Sequence, residues 1–194
     1  MILVTGATGK VGRHLVAGLL AAGAPVRALT RDPAAANLPA GTKLARFDPA
    51  RPGTATAALA GATAVFLNGT AVGRVLGQLM AVASHAGVRR AVLLSSFTVH
   101  DNGAQPYAIG AQHKTLEDMV AASGLEWMFL RCGGFAANTL AWAPMIRAEG
   151  VVRVPYPGAA TAPSPSRTSP PRRFGCCSAE GMPRRGMCLL ARSH

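Results

Sequence analysis

Three glycines, Gly6, Gly9 and Gly12, stand at the spacing a phosphate-binding turn requires. They lie between an apolar run at residues 2–4 and a stripe of Leu15, Val16, Leu19 and Leu20 at helical spacing. Strand, glycine turn and helix in that order form the context of a dinucleotide site. Gly6 lets the chain turn with positive φ, Gly9 lets backbone amides approach a pyrophosphate, and Gly12 lets the helix pack close to the strand. The helix N-terminus then offers unpaired N–H donors and a partial positive charge to the phosphates. Thr8, Lys10 and Val11 complete the loop, so they belong to the same expected cofactor-binding set.

The residue that selects the nucleotide follows the second strand. An NAD site normally places Asp or Glu about 20 residues beyond the glycines, on the ribose 2′-hydroxyl. Here Thr30 and Arg31 occupy that place. A guanidinium can grip a 2′-phosphate bidentately, so the expected cofactor is NADP, with NAD as the alternative. Arg13 could reach the same phosphate. Asp32 leaves two readings open, a bond to a ribose hydroxyl or a cap on the next turn. Arg31 could also be an ordinary solvated arginine.

Elements able to position these groups alternate along the chain. Strands are expected at residues 42–47, 63–67, 90–94 and 125–130, and helices at 55–60, 73–85, 109–123 and 135–147. Such alternation predicts an α/β fold, a doubly wound, Rossmann-like parallel sheet with helices on both faces. Ligands in such sheets lie beyond the strand C-termini, where the strand order reverses. Asp48, Asn68 and Ser95 sit at expected strand ends and should face that cleft. Trp127, Phe129 and Trp142 read as core.

Composition excludes several classes. The 194 residues suffice for one good core. No apolar run approaches the roughly 20 residues of a membrane helix. Met1 leads straight into the first strand with no signal peptide, so a cytoplasmic location without membrane attachment is expected. The cysteines (132, 176, 177 and 188) lack metal-ligand spacing, and no metal is expected. The net charge of +12 could suggest nucleic acid, but the basic residues are scattered, six of the 20 lying beyond position 161.

With these residues in view, the chain resembles the NmrA-like branch of the atypical short-chain dehydrogenase/reductases, among them NAD(P)H-dependent quinone and azo-dye reductases. The motifs that carry the resemblance are VTGATGKVG at residues 4–12, VRALTR at 26–31, VLLSS at 92–96, QHKTLE at 112–117, SGLEW at 123–127 and FAAN at 135–138. It covers residues 1–160, the expected NAD(P)-binding domain. It implies an oxidoreductase that transfers hydride from NADPH to a quinone-like or azo acceptor; the alternative is a non-catalytic redox sensor. Established members carry a Tyr-x-x-x-Lys pair, and here Ile109 and His113 hold those positions. Ile109 cannot donate a proton, and Tyr107 lies on another side of the helix. The resemblance places Ser95 near the nicotinamide and gives His113 the ribose or the substrate to bond, so these two are the expected catalytic residues. The partner is a small-molecule electron acceptor, and homo-oligomer formation is left open.

Beyond residue 160 the chain turns Pro- and Arg-rich, and residues 161–194 read as a disordered basic tail. The tail lacks the interleaved aromatics of a nucleic-acid binder. A sharper reading makes it frameshifted or truncated. Codons exist for residues 186–194 whose neighbouring frame reads YVLTGPQS, which resembles a late strand of the family. On that reading the substrate side of the cleft is incomplete.

Overall fold

The computed structural model describes residues 1–153 and the strand Arg185–Leu189. Seven strands, β1 (Ile2–Val4), β2 (Val26–Thr30), β3 (Lys43–Arg46), β4 (Ala64–Asn68), β5 (Arg90–Ser96), β6 (Glu126–Cys132) and β7 (Arg185–Leu189), form one sheet. The strand order is β3-β2-β1-β4-β5-β6-β7, and every pairing is parallel. The helices are α1 (Gly12–Ala21), α2 (Ala55–Leu59), α3 (Gly69–Val72), α4 (Leu76–His85), α5 (Ala108–Ala121) and α6 (Ala143–Glu149). This is the doubly wound, Rossmann-like arrangement that the alternation predicts.

Parallel strands buried on both faces read as continuous apolar runs, and the period-2 alternation divides their side chains between two cores. Leu3, Val65, Leu67 and Leu93 point to one face, where Leu59 of α2, Leu76 and Leu79 of α4 and Leu116 of α5 cover them. Val4, Phe66, Val92 and Leu94 point to the other, beneath Leu15, Val16 and Leu19 of α1. The stripe that marks α1 in the sequence is therefore the stripe it buries. Trp127 stacks on Phe129 at 4.2 Å between ring centroids.

Three expectations change. The helix expected at residues 135–147 is a 3₁₀ segment, Ala136–Trp142, followed by α6. No residue of either piece is buried, and Trp142 is exposed rather than in the core. The stretch expected as one helix at residues 73–85 begins as a 3₁₀ turn, Gly73–Val75, before α4. Within the expected tail, Arg185–Leu189 is a strand paired with β6 from Trp127↔Arg185 to Arg131↔Leu189. The rest of that tail, with most of the segment read as frameshifted, lies outside the described residues.

Candidate functional site

The strand order places β1 between β2 and β4, so the chain leaves β1 towards opposite edges and opens a crevice above its carboxyl end. Thr5 ties the two sides of that crevice together. Its hydroxyl donates to the Phe66 carbonyl at 3.1 Å and accepts the Asn68 amide at 2.8 Å. The glycine loop follows. Gly6 has φ +60°, and a Cβ there would stand 3.0 Å from the Asn68 side chain. Its carbonyl accepts the Gly9 amide at 3.0 Å. A Cβ on Gly12 would meet the Gly6 carbonyl oxygen at 2.1 Å and Ala7 Cα at 2.7 Å, so only glycine lets α1 begin this close to the loop. Val11 is buried, no side chain caps α1, and its first turn carries no acidic residue. The helix N-terminus thus stays available to an anion.

A cleft of about 680 Å³ runs over this loop. Gly6, Thr8, Gly9, Arg31 and Asn68 line it, which brings five of the expected cofactor residues together. Leu29, Phe47, Pro49 and Val72 supply an apolar side suited to a base. Arg31 has no hydrogen-bond or ion-pair partner among the described residues. Asp32 resolves its own ambiguity, because its Oδ1 accepts the Ala34 and Ala35 amides at 3.0 and 3.3 Å and so caps its turn. Asp48 does the same locally, accepting the Ala50 amide at 2.9 Å, and only its neighbours Phe47 and Pro49 line the cleft. The Asn68 side chain caps α3 by accepting the Thr70 amide at 3.1 Å.

Arg13 is placed elsewhere. It donates to the Thr8 carbonyl at 3.1 Å and lines a second depression, of about 420 Å³, with Lys10 and His14. It does not share the cleft wall with Arg31. Arg74, which sequence reasoning did not single out, does.

Ser95 and His113 lie outside both depressions. Ser95 is buried, and its hydroxyl donates to Glu117 Oε1 at 2.5 Å. The same carboxylate takes Arg131 Nε at 2.9 Å and Nη2 at 2.7 Å. Arg131 also grips Asp101 through Nη1 and Nη2 at 2.9 and 2.6 Å. The parallel register sets Ser95 beside Arg131 across β5 and β6, and α5 lays Glu117 over both. The hydrogen bonds of Arg131 hold the Asp101 carboxyl below its ordinary value. Their carboxylate partners raise the Arg131 guanidinium further, so it stays charged. Nothing in the sequence flagged this network, since its members are scattered among strand, helix and loop.

His113 lies one helical turn before Glu117 on α5. Its Nδ1 is buried and unpartnered among the described residues. Burial lowers its pKa, against the opposing charge of Glu117, so the ring is neutral at neutral pH. Tyr107 and Ile109 are 59% and 52% exposed, and neither sits in the cleft. The described residues hold no metal-ligating cluster, and no helix among them is long and apolar enough to cross a membrane.

Residues 6–144 match the NAD(P)H-binding family. The chain is 40% identical over 158 residues to the (4-alkanoyl-5-oxo-2,5-dihydrofuran-3-yl)methyl phosphate reductase of Streptomyces griseus, covering 80% of this chain and 55% of that protein. It is 34% identical over 160 residues to the NAD(P)H azoreductase of Xenophilus azovorans, again covering 80% and 55%. The chain spans about half the length of these curated relatives. An NADPH-dependent quinone oxidoreductase of Escherichia coli, solved with NADPH, shares the fold. Its TM-score is 0.82 at 24% identity, covering 98% of this chain and 69% of that one. The uncapped helix and the close approach of α1 to the loop that only glycine at position 12 allows fit a bound dinucleotide. The chain belongs to the NAD(P)H-binding family.

Proposed function

We propose that this chain binds NADPH across the carboxyl ends of β1, β2 and β4 and passes two electrons to a small quinone-like or azo acceptor. The observation that carries the reading is the cleft, with the glycine loop at its base, Arg31 unpaired on its wall and Asp32 turned into its own backbone. Loop amides and the α1 N-terminus would hold the pyrophosphate, and Arg31 the 2′-phosphate. Such a cofactor supplies hydride to the acceptor.

Among the described residues, the positions expected to carry a proton donor supply none. Ile109 has no acidic proton, Tyr107 faces solvent, and Ser95 already gives its proton to Glu117. Ketone reduction needs a placed acid to protonate the carbonyl oxygen. A quinone or azo group asks less, because water can protonate the reduced product. The half-buried His113 would bond a ribose hydroxyl or an acceptor seated beyond the two depressions. Ser95 would act on the nicotinamide side by holding Glu117 and the strand end in place. Relatives named as an azoreductase and as the reductase of a furanone phosphate support the acceptor class. We place the protein in the cytoplasm, beside the pool of reduced nicotinamide.

NADPH oxidation by a soluble benzoquinone, followed by nicotinamide absorbance, tests the reading. Saturable turnover with quinone and little with simple ketones is expected. The lack of a proton donor at the expected positions among the described residues also favours the alternative of a non-catalytic redox sensor, which predicts tight NADPH binding with no turnover on either substrate.

A further inference from the structure

The cleft has a second cation that the glycine fingerprint does not announce. Arg74 lies in the 3₁₀ turn Gly73–Val75 beyond β4, whereas Arg31 follows β2. Since β2 and β4 flank β1 on opposite sides, the two arginines approach one cleft from opposite walls. Both are exposed, and neither has a hydrogen-bond or ion-pair partner among the described residues. The acids nearest in sequence to Arg31 and to the apolar side, Asp32 and Asp48, are engaged with amides of their own turns. The chain also fixes where Arg74 stands. Gly73 ends α3 with φ +52° and ψ −136°, a conformation that side chains resist, and turns the backbone sharply just before Arg74. Two guanidinium groups line one cleft whose carboxylate, Asp32, is engaged with the amides of its own turn, an arrangement that favours an anion carrying close to two charges.

We propose that Arg74 is a specificity-determining residue that closes on the cofactor's 2′-phosphate from the wall opposite Arg31, making the adenosine end a two-arginine clamp. This rests on the NADPH reading above. The rival role for Arg74 is stacking on the adenine ring, which every adenine dinucleotide would share. Discrimination between phosphorylated and unphosphorylated ligands separates the two roles.

The test is calorimetric titration of the whole chain and of Arg74→Ala with 2′,5′-ADP, 5′-ADP, NADPH and NADH, with a thermal melt to verify folding. Arg74 is exposed, so the melt should not move. The expected result is roughly a tenfold loss of affinity for 2′,5′-ADP and NADPH, and less than a twofold change for 5′-ADP and NADH. Arg74→Lys should restore part of the loss, and the salt dependence of 2′,5′-ADP binding should flatten in Arg74→Ala. Equal losses for phosphorylated and unphosphorylated ligands would overturn the clamp in favour of stacking. An unchanged preference would overturn it outright while leaving the NADPH reading intact. A parent chain that binds neither NADPH nor 2′,5′-ADP would overturn both.

Discussion

Replacing Arg131 with methionine isolates what the buried ion pair between β6 and α5 contributes. Arg131 meets Glu117 at 2.7 Å with side-chain exposures of 7% and 3%. The substitution leaves the Glu117 carboxylate in the core with Ser95 as its remaining partner. Stranding one member of a buried pair costs about 3–5 kcal/mol. Against a total stability of about 5–15 kcal/mol that is a large fraction. At about 2–4 °C per kcal/mol, Tm should fall by about 6–20 °C. The outer arm of the network is a different case. Asp101 is 55% exposed, so Asp101→Asn should cost no more than about 1 kcal/mol. Removing both buried charges, with Arg131→Met and Glu117→Leu together, should recover most of the loss, because apolar replacement of a buried pair is often neutral. Urea melts of the parent, the two single variants and the double variant give the coupling directly. A loss below about 1 kcal/mol for Arg131→Met, or a double variant as unstable as the two singles combined, would refute the reasoning.

Three further outcomes are expected. Gly12→Ala drives a Cβ against the Gly6 carbonyl oxygen, where backbone meets backbone, so NADPH affinity should drop at least tenfold with a lower melting temperature; an alanine variant binding like the parent contradicts the loop geometry. Tyr107→Phe should leave quinone reduction within about twofold, because Tyr107 is exposed and away from the cleft; a large loss with the fold preserved would make it the acid. Burial lowers the His113 pKa, so the unfolded chain binds a proton that the folded chain resists, and this part of the stability is complete above the ordinary value of 6.5 and declines as pH falls below it. His113→Gln should flatten the pH–stability profile in that window, as chemical denaturation at a series of pH values would show; an unchanged slope counts against the burial argument.

The parts of the molecule legible in the sequence are those whose causes are local. Gly6 needs its positive φ and Gly12 its missing Cβ for the loop to close on α1, and Leu15, Val16 and Leu19 repeat at the spacing of the face they bury. Arg31 reads as a phosphate ligand because it immediately follows β2. What stayed hidden depends on strand register and crossovers. Ser95, Glu117, Arg131 and Asp101 meet only because β5 pairs with β6 in one register and α5 crosses above. Arg74 joins Arg31 only because β4 inserts beside β1. The end of β3 misled for a related reason, since Asp48 sits at the expected strand end but turns its carboxylate into its own loop. Arg185–Leu189 escaped because an edge strand in a basic, irregular segment carries little periodic signal.

The central claim is that an unpaired Arg31 makes this cleft one for NADPH, and a direct measurement is the affinity of the parent chain and of Arg31→Ala for NADPH and NADH in one buffer. The account predicts that the parent prefers NADPH and that the substitution removes about 1.5–3 kcal/mol of that preference, the range of a hydrogen bond to a charged group. Equal affinities in the parent, or a preference that survives the loss of Arg31 and Arg74 together, would contradict it.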